Sequence, residues 1–185
     1  MTDNQWPRFM VFQQESPEKP LLHNGSVHAA DIELALLNAR DVFARRPEAS
    51  LMWVVPADSI LTKTREELAA DSVIARSPQG DEAISTSDAQ SYYVFGKLSE
   101  QSQASYLGTV QAGSAGAAMQ QALDTFAKHN PIWWWVFPAN AVLASEPDDA
   151  DPMFAPARDK TFKRQAEYPV VTMMRQLHTK GKLDE

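Results

Sequence analysis

The sequence predicts an α+β protein built from two fused ββαβ units about a pseudo-two-fold axis. Each unit is an antiparallel sheet with a helix on one face, and an extended C-terminal arm follows. Three observations predict this. First, the chain repeats itself. Gly25, Val27 and Ala29 return as Gly108, Val110 and Ala112; Ala35, Ala39, Asp41, Phe43 and Ala44 return as Ala118, Ala122, Asp124, Phe126 and Ala127. Val11-Phe12 returns as Val94-Phe95, and Trp53, Val54, Pro56, Ala57 and Leu61 return as Trp135, Val136, Pro138, Ala139 and Leu143. Second, the offset changes by only one residue, in the loop before the Trp strand (25 to 108, then 53 to 135). Third, each copy carries short apolar runs around one stretch of 3.6-residue periodicity. Fixed-period similarity marks repeated units. Two copies are too few for a solenoid and point to a fused dimer.

In the first unit, Phe9 to Gln13 is an apolar run after Trp6-Pro7, and the segment from Pro17 to Pro20 is a turn. Leu22 to Ala29 forms a second strand, with Gly25 a bulge or a point of close approach. Asp31 caps a helix by accepting from free N–H groups of its first turn. Ile32, Ala35, Leu36, Ala39, Val42 and Phe43 form its apolar stripe, while Glu33, Arg40, Asp41 and Arg45 face outward or sideways. Pro47 stops the helix, and Leu51 to Val55 is the third strand.

The second unit follows the same plan. Tyr92 to Leu98 and Tyr106 to Ala112 are strands. Ser114 caps a helix whose stripe is Ala115, Ala118, Met119, Ala122, Thr125 and Phe126. Asn130-Pro131 ends it, and Ile132 to Phe137 is a strand apolar on both faces, which calls for cover on both sides. The units span 1–77 and 90–145, with a linker rich in Ser, Asp and Gly at 78–89 and an arm at 146–185. Asp148 to Lys163 is expected to be loop-like, and Tyr168 to Leu177 a short strand or helix.

Composition excludes several classes of function. The chain has 185 residues, 44% hydrophobic and 22% charged, as in globular proteins. No apolar run reaches the roughly 18 residues of a membrane span. The start, Met1 to Asn4, lacks the basic and apolar regions of a secretory signal, so the cytoplasm is the expected compartment. The absence of Cys removes disulfides, thiolate nucleophiles and Cys-ligated metals. A net charge of −7 disfavours nucleic-acid binding. The acidic loop of Glu146, Asp148, Asp149 and Asp151 precedes a basic stretch of Arg158, Lys160, Lys163 and Arg164.

Candidate chemistry is sparse. His28, three residues before Asp31, has the spacing of an acid–base pair. Its repeat mate is Gln111, however, and Asp31 becomes Ser114, an exchange that preserves capping rather than catalysis. His23, His28, His129 and His178 show no metal-ligand spacing, and no Glu-x-x-His pair offers a di-iron site. The glycines form no phosphate loop, and no Ser sits in a nucleophile elbow. No catalytic, metal or cofactor residue is therefore assigned. Trp133-Trp134-Trp135 admits three readings: alternate core packing on two sheet faces, a partner hot spot, or a small-ligand pocket. Trp53, the mate of Trp135, favours core for that residue. Arg40, Arg45 and Arg46 make a basic face that complements the helix dipole or docks an acidic partner.

These residues also resemble a known family. Trp6-Pro7, Val11-Phe12, the run from Gly25 to Asp31, Asn38 to Asp41, Arg45-Arg46 and Trp53 to Val55 look like PaaB. PaaB is the small B subunit of bacterial phenylacetyl-CoA epoxidase, a multicomponent di-iron monooxygenase. Residues 6–61 carry the specific motifs, 91–144 match more loosely, and Asp159 to Arg164 through Tyr168 resemble the family's tail. Family members usually carry one copy, so this chain departs as a tandem. The resemblance implies a non-catalytic bridging subunit, without cofactors of its own, in aerobic phenylacetate degradation. Its partners would be the catalytic di-iron subunit and that subunit's structural partner, with self-association also open. Candidate interface residues are Arg40, Arg45 and Arg46, then Trp133 and Trp134, then Arg158, Lys160, Arg164 and Tyr168 of the arm. The rival reading is an enzyme or ligand-binding protein of the ferredoxin-like dimeric-barrel type, its cavity lined by the Trp cluster. Such a barrel would place His, Asp or Arg on inward strand positions, where this chain is expected to place Leu, Trp, Val and Phe.

Overall fold

The computed structural model describes residues 6–44, 49–74, 89–146, 148 and 152–155, with side chains through 70 in the helix that ends at 74. The first half supplies β1 (Arg8–Gln14), β2 (Leu22–His28), α1 (Ile32–Phe43), β3 (Leu51–Pro56), β4 (Leu61–Thr64) and α2 (Arg65–Ile74). The second supplies β5 (Gln90–Lys97), β6 (Ser105–Ala112), α3 (Ala115–Phe126), β7 (Trp133–Pro138) and β8 (Leu143–Ala144). The protein is α+β, and its strands form one antiparallel sheet in the order β4-β7-β5-β6-β2-β1-β3-β8.

Both helix caps form as the sequence predicts. The Asp31 carboxylate accepts from the Leu34 N–H at 2.7 Å, and the Ser114 hydroxyl accepts from the Ala117 N–H at 3.2 Å. The helix stripes are narrower than their periodicity suggests. Ala35 and Ala39 are buried and Ile32, Leu36 and Phe43 pack beside them, but Val42 is 58% exposed, and Thr125 is exposed on α3. Both lie past the line where the helix meets the sheet. Leu123, on the opposite flank of α3 from Thr125, packs against this core. Pro47 and the linker from 78 to 88 lie outside the described residues.

Strand alternation divides the apolar residues into three cores. Phe9 and Val11 of β1 with Met52 and Val54 of β3 meet α1. Tyr92 and Val94 of β5 with Trp134 and Val136 of β7 meet α3. The alternate residues, Phe12, Val55, Phe95, Trp135 and Phe137 among them, form a third core on the opposite face. The double-sided cover expected of β7 is thus realised. This inner core shows that the sheet curls. Trp53 on β3 and Tyr93 on β5 lie four strands apart in the sheet, roughly 19 Å if flat, yet their ring centroids are 4.6 Å apart. Phe12 similarly lies 4.4 Å from Phe95 and 5.4 Å from Phe137.

The end strands cross between halves. β4 pairs with β7, Leu61 opposite Val136 and Thr64 opposite Trp133, while β8 pairs with β3, Val54 opposite Leu143. Ser145 extends the second contact: its hydroxyl accepts from the Met52 N–H at 3.0 Å, and its N–H donates to the Met52 carbonyl at 2.8 Å. β4, β8 and α2 have no counterpart among the elements expected from the sequence. Of the arm, residues 152–155 form a helical turn rather than a loop, and Phe154, 2% exposed, packs into the α1 core. Tyr168 to Leu177 lie outside the described residues. No helix among the described residues is long and apolar enough to cross a membrane.

Candidate functional site

The halves of the sheet meet at β2 and β6, where Leu22 faces Ser105. Two flanking backbone bonds complete the seam: the His23 N–H donates to the Ala104 carbonyl at 2.8 Å, and the Tyr106 N–H to the Leu21 carbonyl at 3.0 Å. A β-bulge follows it in each of the two strands. Val11 faces Gly25 but Phe12 faces His23, leaving Asn24 as the extra residue; Val94 faces Gly108 but Phe95 faces Tyr106, leaving Leu107. Gly25 and Gly108 carry the positive φ of 146° and 158° there. Each is also the floor for a helix ring: an added Cβ would lie 2.9 Å from Phe43 Cζ and 2.4 Å from Phe126 Cζ.

The bulge decides where His23 points. One extra residue in a strand moves everything beyond it to the other face. His23 would otherwise share the helix-side face of Gly25 and Val27. Instead its ring lies 5.5 Å from Phe12 and 4.7 Å from Trp135, in the inner core. Its Nε2 is buried with no hydrogen-bond partner. Burial lowers its pKa from the ordinary 6.5; a hydrogen bond with the Gly25 backbone opposes this, and the Lys97 charge adds to it. The inward positions hold Phe, Trp, Val, Met and Tyr, but His23 stands among them, against the expectation that no His faces inward, and the bulge is the reason. Gly25, recognised as a bulge candidate, was the available signal.

Beside His23 opens a cavity of about 440 Å³, lined by Met10, Lys97, Ala104, Trp133 and Trp135 among others. The Lys97 ammonium stands 5.4 Å from the Trp133 ring centroid, a cation–π contact. A polar ladder bounds the cavity on one side: Asn24 donates to Gln13 Oε1 at 2.7 Å, and Gln103 donates to Asn24 Oδ1 at 3.2 Å. Beyond it lies a smaller hollow of about 240 Å³, beside the Lys19–Glu15 ion pair.

The residues singled out for an interface fall into separate places. Trp133 is 41% exposed at the cavity rim. Trp134 is 4% exposed beneath α3, because alternation sends it to the face opposite its neighbours, so it offers nothing to a partner at the chain's surface. Trp135 is core, and its mate Trp53 is half-buried against the same core. Arg40 pairs with Asp41 at 3.0 Å on the outer side of α1. Arg45, Arg46, Arg158, Lys160, Arg164 and Tyr168 lie outside the described residues. The His28 Nδ1 lies 2.8 Å from the Trp6 carbonyl, while Asp31 is engaged in its cap. Among the described residues no three His, Asp or Glu converge into a metal-sized cluster.

The family model PaaB, described as "Phenylacetic acid degradation B", matches residues 5–79 and 88–175. The B subunit of 1,2-phenylacetyl-CoA epoxidase from Escherichia coli (strain K12) is 42% identical over 67 residues, which are 36% of this chain and 70% of that protein. The same aligned stretch being 36% of one and 70% of the other, the relative is about half as long. No solved structure is a significant match. The chain belongs to the PaaB family.

Proposed function

We propose that the chain is a non-catalytic bridging subunit of a phenylacetyl-CoA epoxidase-type multicomponent oxygenase in phenylacetate degradation. One observation carries this: the PaaB model matches along the chain in two successive segments, and a relative in that family is an epoxidase subunit about half as long. We read the chain as two ββαβ units, 1–77 and 90–145, fused through a linker at 78–89 and followed by an arm at 146–185. The units pack about a pseudo-two-fold axis. Three features support that reading. The bulge, positive-φ glycine and helix Phe recur. The strand order reads the same way from either end, with β4 and β8 as exchanged equivalents. The inner contacts recur in part: Phe12 and His23 lie on Trp135 and on each other, while Tyr106 lies on Trp53 and Phe95 on Tyr106.

The partners in this reading are the catalytic di-iron subunit and its structural companion. The binding surface includes the exposed Trp133, Arg40 with Arg45 and Arg46, and the basic arm of Arg158, Lys160, Arg164 and Tyr168. The test is affinity purification of the tagged chain from its host, with phenylacetyl-CoA turnover assayed for the complex and for the chain alone. Co-purification of both partners, with turnover confined to the complex, supports the reading. Turnover by the isolated chain, or full turnover by partners lacking it, contradicts it.

A further inference from the structure

The two ends of the inner core are filled differently. At one end Tyr93 lies on Trp53, with ring centroids 4.6 Å apart and planes 35° apart, and Tyr106 stands 6.0 Å from Tyr93. The ladder registers identify the corresponding positions at the other end. Met10 pairs with Val55 as Tyr93 pairs with Phe137; His23 faces Phe12 as Tyr106 faces Phe95; Trp135 faces Phe95 as Trp53 faces Phe12. A thioether chain and an imidazole thus stand where the other end has two phenol rings. The 440 Å³ cavity opens there, against Trp135. At its rim Lys97 touches the Trp133 ring, and no carboxylate pairs with that lysine among the described residues.

We propose that this cavity is a binding site for a small aromatic monocarboxylate. Its ring would lie on Trp135 as the Tyr93 ring lies on Trp53, and its carboxylate would meet the Lys97 ammonium. Three points select this class. The Tyr93–Trp53 contact shows a six-membered ring seated on the indole at the corresponding position of the other half. The volume falls in the roughly 300–1,000 Å³ range of small-ligand sites, which are mostly apolar with a few placed polar groups. Lys97, the one Lys or Arg among the described residues that line the cavity, matches one negative charge. The inference rests on the proposed equivalence of the two halves and needs no partner subunit.

The experiment titrates benzoate, benzamide and acetate into the purified full chain by calorimetry and tryptophan fluorescence. It repeats the titration on Met10→Tyr, which supplies the ring found at the other end, and on Lys97→Met. Benzoate is expected to bind saturably, with benzamide and acetate at least about tenfold weaker. Lys97→Met should bring benzoate down to the level of benzamide. Met10→Tyr should abolish binding while the unfolding temperature is kept or raised. Equal affinity for benzoate and benzamide, no benzoate binding up to about 10 mM, or undiminished binding by a folded Met10→Tyr overturns the site. If Met10→Tyr unfolds, the equivalence of the halves fails instead, and the Lys97→Met and benzamide comparisons decide the site by themselves. Because only the isolated chain is used, none of these outcomes bears on the bridging role.

Discussion

At the residue scale, two glycines and one histidine show how little sequence is needed to set the seam. Gly108 has a φ of 158°, and a Cβ there would lie 2.4 Å from Phe126 Cζ. Gly108→Ala should therefore destabilise by about 2–3 kcal/mol through strain and overlap. Gly116 in α3 has nothing within 4 Å, so Gly116→Ala should stabilise by about 0.5–1 kcal/mol. Urea unfolding of both variants checks the pair, and equal effects would deny the helix–bulge contact. His23 adds a pH dependence. Its folded pKa is lowered, chiefly by burial, so below the ordinary 6.5 the unfolded chain binds the proton that the folded chain refuses. Its contribution is fully present above that value and is lost as pH falls through it. Unfolding midpoints from pH 8 to 5 should show an acid loss that His23→Tyr, which copies Tyr106 of the other half, reduces; identical slopes would place the imidazole in water.

At the element scale, what was legible depended on local patterning. α1 and α3 announced themselves by a cap and a 3.6-residue stripe, and β1, β3, β5 and β7 by apolar runs. α2 did not, because Leu68 is the one apolar contact described for it. Its start is instead a reciprocal cap: Thr64 and Glu67 each accept from the other's backbone N–H, at 3.1 and 2.8 Å. β4 and β8 are short, and their partners lie in the other half, so no local pattern reports them. The inward turn of His23 escaped alternation because Asn24 interrupts the period. The caps are measurable: Asp31→Ala should cost about 1 kcal/mol and Asp31→Asn little. The Trp strand splits likewise. Trp135→Ala should cost about 3–5 kcal/mol as a cavity, whereas Trp133→Ala, at a 41% exposed position held by one cation–π contact, should cost only about 1 kcal/mol. Thermal unfolding ranks them, and equal losses would deny the alternation of β7.

At the scale of the whole molecule, the strand exchange binds the halves together. β4 completes the sheet of the second half and β8 that of the first, while Phe12, Phe95 and Phe137 fill the space between. Neither half keeps its edge strand and inner core without the other. Fragments 1–77 and 90–185 are therefore expected to be largely unfolded apart and to regain the far-UV spectrum of the parent when mixed. A fragment that folds alone as a monomer would count against the exchange. For a bridging subunit the consequence is stoichiometric. A single-copy subunit offers two equal faces only by pairing with itself, whereas in the proposed reading this chain carries both faces covalently. The most direct measurement is the native mass of the complex assembled with its catalytic and structural partner subunits. One copy of this chain should occupy each place that a pair of single-unit family members would fill, and two copies in that place, or no complex at all, would contradict the account.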